Sequence, residues 1–194
     1  EDVLEGLLGS QDRRGDSRAG YAAKISFVGK GNSGKSTLVR CLYAVDTFGK
    51  LRARDRKKMG EHSVATDGVH VTEWSSRLGG RSLPVRAFDF AGQSLYYATH
   101  SFFMTGDGIY VLVFALDEPV DETYLLYWLE AVKHMADAAP VFLVGTKMDR
   151  CEMGEQALCQ SLISLAGRLR GTHPNIVRLS VVSSLTGHGV QRFA

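Results

Sequence analysis

Nine consecutive residues, Gly29-Lys30-Gly31-Asn32-Ser33-Gly34-Lys35-Ser36-Thr37, carry the spacing G-x-x-x-x-G-K-[ST]. Glycines in that spacing let the backbone turn its N–H groups inward and approach an anion with no Cβ in the way. Lys35 would reach the terminal phosphates of a nucleotide as a point charge, and the Ser36 hydroxyl would ligate Mg2+. Gly29, Gly31, Asn32, Ser33, Gly34, Lys35, Ser36 and Thr37 are therefore the candidate phosphate-binding residues. Further along, Asp89-Phe90-Ala91-Gly92-Gln93 offers an acid that can hold Mg2+ through its waters and a glycine N–H for a terminal phosphate. Gln93 then stands where an attacking water must be oriented. Taken alone, the same five residues also describe a solvated Asp-Gly turn.

Thr146-Lys147-Met148-Asp149 is the third group. The Asp149 carboxylate can accept from both the ring N–H and the amino group of guanine, whereas adenine lacks the amino group and that ring proton. A site built on such a bond can reject the wrong base by roughly 10⁴–10⁵. The Lys147 stem would lie flat against the base. Ser183-Ser184-Leu185 is the fourth group, a loop whose backbone N–H would meet the base oxygen. Thr66, in Thr66-Asp67-Gly68, has the position of a residue that closes on Mg2+ and the terminal phosphate. A simple turn before a strand explains it equally well. The candidate catalytic set is thus Gln93, Lys35 and Thr66, and the candidate metal set is Ser36, Thr66 and Asp89.

These groups need a scaffold, and the apolar pattern supplies one. Ile25 to Val28 reads as a strand entering the glycine loop, and Leu38, Leu42 and Val45 mark a helix leaving it. Val69 and Val71 alternate toward Trp74, Leu78 to Arg81 gives a turn, and Leu83 to Phe88 returns, which predicts a hairpin. Gly108 to Leu116 and Pro140 to Val144 are continuous apolar runs, as in parallel strands buried on both faces. Leu125, Trp128, Leu129, Val132 and Met135 recur at helical spacing, as do Leu158, Leu162, Leu165 and Leu169; Ile176 to Val182 is a last strand. Phe48, at the end of the first helix, is expected to be a core aromatic rather than a ring stacked on a base. The alternation predicts an α/β fold with a mostly parallel six-stranded sheet and helices on both faces. Ligands bind such sheets beyond the carboxyl ends of the strands, where all four groups fall.

A chain of 194 residues suits one domain with a full core. Residues 1–20 read as a linker from an upstream region, and residues 21–194 as the domain itself. Hydrophobic content of 44% and a net charge of +2 point to no particular partner, nucleic acid included. No apolar run approaches the ~18 residues of a membrane span, and no secretory leader is visible. The three cysteines have neither disulfide nor metal spacing and read as reduced thiols of a cytoplasmic protein. Lys50 to Lys58 holds six basic residues and one acid. It is a solvated loop, or a contact for a partner or an acidic membrane. The six histidines show no ligand spacing.

Four motifs in this order resemble a Ras-type small G domain of the phosphate-loop NTPase class. The wording is narrower still: Thr66-Asp67-Gly68-Val69 before Glu73-Trp74, and Asp89 to Gln93 running into Tyr96-Tyr97-Ala98-Thr99-His100-Ser101-Phe102-Phe103. It resembles the Roc domain of Roco proteins, the leucine-rich-repeat kinases and their relatives, over about residues 22–192. The resemblance implies GTP and GDP as ligands, Mg2+, slow intrinsic hydrolysis, a neighbouring COR domain and a homodimer. An arginine from another chain, where this class uses one, is worth roughly 10³–10⁵ in rate. Leu185 departs from the lysine usual in the S-A-K loop. The last helix, from about Gly189, would stop short at Ala194, leaving an apolar strip of the sheet exposed and favouring a dimer. Three functions remain open at this stage: a GTP-hydrolysing switch, a nucleotide-held interaction module with negligible hydrolysis, and an ATPase, which Thr146 to Asp149 disfavours.

Overall fold

The computed structural model describes residues 22–48, 66–78, 81–92, 101–137 and 139–193. Two of its strands, one apolar throughout and one apolar up to a final threonine, face water on neither side. Ile109–Ala115 (β4) and Val141–Thr146 (β5) are buried at every position. Ala23–Val28 (β1) is nearly so. Such strands must lie inside a parallel sheet with helices above and below. Val69–Leu78 (β2) and Arg81–Phe90 (β3) instead alternate, and they pair antiparallel from Val69 opposite Phe90 to Leu78 opposite Arg81. With Ile176–Val181 (β6) they complete one six-stranded sheet of order β2-β3-β1-β4-β5-β6. All neighbours except β2 and β3 are parallel. Chain order reverses about β1, and that is where a crevice opens at the carboxyl ends of such strands.

Lys35–Phe48 (α1) covers one face, burying Leu38, Val39, Cys41 and Leu42 against Ile25, Phe27, Val111 and Val144. Val190–Phe193 (α4) joins the same layer, with Val190 and Phe193 buried. Glu122–Ala136 (α2) and Glu155–Thr172 (α3) cover the other face. Their Leu125, Trp128, Leu129, Leu162 and Leu169 pack on Tyr110, Leu112, Val141 and Leu143. The spacing that gives each helix a single apolar stripe is the reason it lies flat on the sheet.

Three expectations are corrected. Phe48 is 58% exposed, with its ring edge-on to that of Tyr43, because the buried stripe of α1 ends at Ala44. Met135 is also exposed, and Ala136 closes the buried stripe of α2 instead. The expected bare apolar strip near α4 is not found among the described residues. Phe142 and Val144 are buried there, Phe142 edge-on to Phe193, and Ser180 stands on the next strand. The residues 1–20, the basic run from Lys50 to Lys58 and the loop at Gly79-Gly80 lie outside the described residues.

α2 starts on a local device. The Asp121 side chain accepts from the Tyr124 backbone N–H at 3.1 Å, satisfying one amide that the first turn leaves unpaired. Glu122 in the first turn and Lys133 and His134 in the last complement the helix dipole. Asp121→Ala is expected to cost about 1 kcal/mol. Thermal denaturation should show Tm lowered by about 2–4 °C.

Candidate functional site

The chain leaves β1 at Val28 and turns through Gly29, whose φ is +138°. A Cβ built on Gly29 would stand 2.1 Å from the backbone oxygen of Val113, so only glycine lets the loop pass over β4. Asn32 (φ 61°) and Gly34 (φ 90°) are left-handed as well, and together they curl the loop before α1 begins at Lys35. The first amides of α1 have no intrahelical acceptor, and their dipole adds positive character at the same point. Lys35 is only 5% exposed. Its Nζ donates to Gly29 O at 2.9 Å and Lys30 O at 2.8 Å. Burial pulls its pKa down to about 8, against the raising effect of the Asp89 charge. A buried ammonium with a third N–H to give is a strong receptor for an anion.

Beside it three oxygens converge. Ser36 Oγ and Thr66 Oγ1 are 3.0 Å apart, and Thr66 Oγ1 lies 3.4 Å from Asp89 Oδ2. Asp89 is 4% exposed and its Oδ1 has no hydrogen-bond partner. Burial pushes its pKa up; a hydrogen bond from Ser36, the charge of Lys35 and a hydrogen bond from Thr66 oppose this. A buried carboxylate oxygen with no partner is costly. Hard oxygen donors around such an atom fit Mg2+. The metal set Ser36, Thr66 and Asp89 is thus brought together in space.

Gly92 packs against the loop so closely that a Cβ there would sit 2.2 Å from Gly31 N. Its carbonyl accepts from that Gly31 N–H at 3.1 Å, and the Tyr124 hydroxyl stands 3.5 Å from the same oxygen. One amide counted among the phosphate donors is therefore occupied by Gly92, which turns its C=O toward the loop. Gln93 lies outside the described residues.

On the other side of the loop, Thr146 at the end of β5 is buried, and its hydroxyl donates to Ser33 O at 2.5 Å. Phe114 O is 3.1 Å from the same hydroxyl. This contact ties the phosphate loop to the third motif across 113 residues of sequence. Lys147 follows in a left-handed conformation, φ 58°, and its Nζ lies 3.0 and 3.1 Å from the two oxygens of Asp117. The Ser183 hydroxyl donates to Asp149 Oδ1 in a short contact, and Thr186 N–H donates back to Ser183 Oγ at 3.1 Å. Met148 N–H reaches Val182 O at 3.3 Å, joining the third motif to the residue just before the fourth. Ser184 is half-buried, while Leu185 is 53% exposed and offers no cation. Thr37 continues α1.

The sequence reading missed two features. Ser183 acts through its side chain, where only a backbone role was expected. Asp117 and Glu118 sit at the carboxyl end of β4, and Glu118 lies 3.4 Å from Lys30. Their one signal was an acidic pair straight after a buried strand.

A glycine-rich loop between β1 and α1, converging oxygens at the end of β3, and the Asp149 carboxylate after β5 fit a Ras-like domain of the phosphate-loop NTPase class. Residues 24–149 match the family described as Ras of Complex, Roc, domain of DAPkinase, and the chain belongs to that family. Two relatives from Dictyostelium discoideum are similar to it. "Probable serine/threonine-protein kinase pats1" is 25% identical over 189 residues, which is 88% of this chain and 6% of that protein. "Probable serine/threonine-protein kinase roco11" is 30% identical over 176 residues, 87% of this chain and 11% of that protein. The chain thus spans about a tenth or less of their lengths. Among solved structures, Methanosarcina barkeri Roco2 RocCORdC bound to GDP shares the fold. Its TM-score is 0.65 at 22% identity, covering 93% of this chain and 49% of that one.

Proposed function

We propose that this chain is a guanine-nucleotide switch that binds GTP and GDP with Mg2+ and hydrolyses GTP slowly, as one domain of a larger Roco protein. One observation carries the reading. The hydroxyls of Thr146 and Ser183 join the phosphate loop, Asp149 and the last loop into one frame at the carboxyl ends of the strands. An anion receptor and a guanine-selective acceptor in one frame fit a guanine nucleotide and little else.

Within that frame Lys35 and the loop amides take the phosphate charge, and Asp149 takes the base. Ser36, Thr66 and Asp89 would hold Mg2+, which supplies charge neutralisation at the phosphate oxygens. Thr66 connects the segment before β2 to that cluster, so loss of a terminal phosphate would release it. Gln93 orients the attacking water. In the whole protein a COR domain follows and two copies assemble in the cytoplasm; the family relationship motivates that part.

Single-turnover GTP hydrolysis tests the reading. Wild type is expected to release phosphate slowly and Gln93→Leu at least about tenfold more slowly, with affinity for GTP little changed. No release by either protein would favour a nucleotide-held interaction module.

A further inference from the structure

Asp117 belongs to none of the four motifs, yet both of its carboxylate oxygens contact the third of them. Lys147 Nζ is 3.1 Å from Asp117 Oδ1 and 3.0 Å from Oδ2. The two side chains are only 20% and 22% exposed, and Arg150 Nη1 adds a second cation 3.9 Å from Oδ2. The β4–β5 pairing makes this contact possible. Ala115 lies beside Thr146, and Leu116 N–H donates to Thr146 O at 3.0 Å, so the residues that follow each strand emerge side by side. Lys147 also has a left-handed backbone, a conformation that a bulky residue adopts only where its surroundings enforce it.

We propose that Asp117 is a positioning residue of the nucleotide site: it grips the Lys147 ammonium with both carboxylate oxygens and fixes the lysine stem as a wall for the purine. This rests on the guanine-nucleotide reading above. A lysine stem left untethered samples many rotamers and would be ordered only when the base arrived. Held beforehand, it removes that entropy loss from binding. Because the ammonium is turned onto Asp117, Lys147 acts on the base through its methylenes, and the benefit is the same for a diphosphate and a triphosphate. The neighbouring Lys30–Glu118 pair, at 3.4 Å with both side chains half exposed, is the screened kind that contributes little.

The test uses a fluorescent N-methylanthraniloyl-GDP and its GTP counterpart with this chain, measuring Kd and dissociation rate. Asp117→Asn is expected to speed dissociation of both about tenfold, by the same factor, with the Tm of the nucleotide-free protein unchanged. Asp117→Glu should restore part of the loss, and Glu118→Gln should stay within about twofold of wild type. The double variant Asp117→Asn/Lys147→Met should lose no more than Lys147→Met alone, since each acts through the other. Unchanged dissociation in Asp117→Asn, or losses that multiply in the double variant, would overturn the assignment and leave the guanine-nucleotide reading intact. A wild-type chain that binds neither probe would overturn both.

Discussion

Asp149→Asn is expected to exchange guanine for xanthine as the preferred base. Guanine presents a ring N–H and an amino group side by side, and a carboxylate accepts from both. Xanthine keeps the ring N–H but carries a carbonyl in place of the amino group. An asparagine amide matches that pair, accepting with its oxygen and donating with its nitrogen. Against guanine the same amide sets donor against donor, leaving a polar group unpaired in the site, and such mismatches reach roughly 10⁴ in affinity. Ser183 keeps its role, since its hydroxyl can donate to the asparagine oxygen as it does to Asp149 Oδ1. Competition binding should show GDP losing about 10⁴-fold and xanthosine diphosphate overtaking it. Equal loss of both, or no loss of either, would mean that Asp149 does not face the base.

Gly29→Ala is expected to damage the fold itself. Its Cβ would fall 2.1 Å from Val113 O, a backbone atom of a strand buried on both faces that has no room to retreat. The positive φ adds strain of its own. A loss of about 3 kcal/mol follows from strain and clash together. That corresponds to a Tm lower by about 6–12 °C. Gly68→Ala separates the two effects: φ there is +66° but nothing lies within 4 Å of the added carbon. It should cost only about 1 kcal/mol. If the two variants melt alike, close passage over β4 is not what requires Gly29.

The contrast between these glycines shows what sequence can express. β4 and β5 were visible because strands buried on both faces leave uninterrupted apolar runs, and the mostly parallel pairing then followed from strand–helix alternation; the order of the strands is read from the structure. Helix ends were not visible, since periodicity predicts a face and not where its burial stops; Phe48 is exposed for that reason, while on α2 the stripe passes from Val132 to Ala136 and leaves Met135 beside it. At the site, residue types and spacing pointed to Lys35, Ser36, Thr66 and Asp89, which the fold brings together. Spacing said nothing of which way a peptide turns, and Gly92 directs its carbonyl toward Gly31. Nor could it show Thr146 on Ser33 or Lys147 on Asp117, because those contacts are made by strand register across 113 and 30 residues.

The decisive measurement is equilibrium competition between GDP and ADP for the wild-type chain in the presence of Mg2+. Displacement of a fluorescent GDP by unlabelled GDP, with ADP at least about 10³-fold weaker, is the expected result. Comparable displacement by ADP would contradict it, because the phosphate loop would then be bound without Asp149 choosing the base.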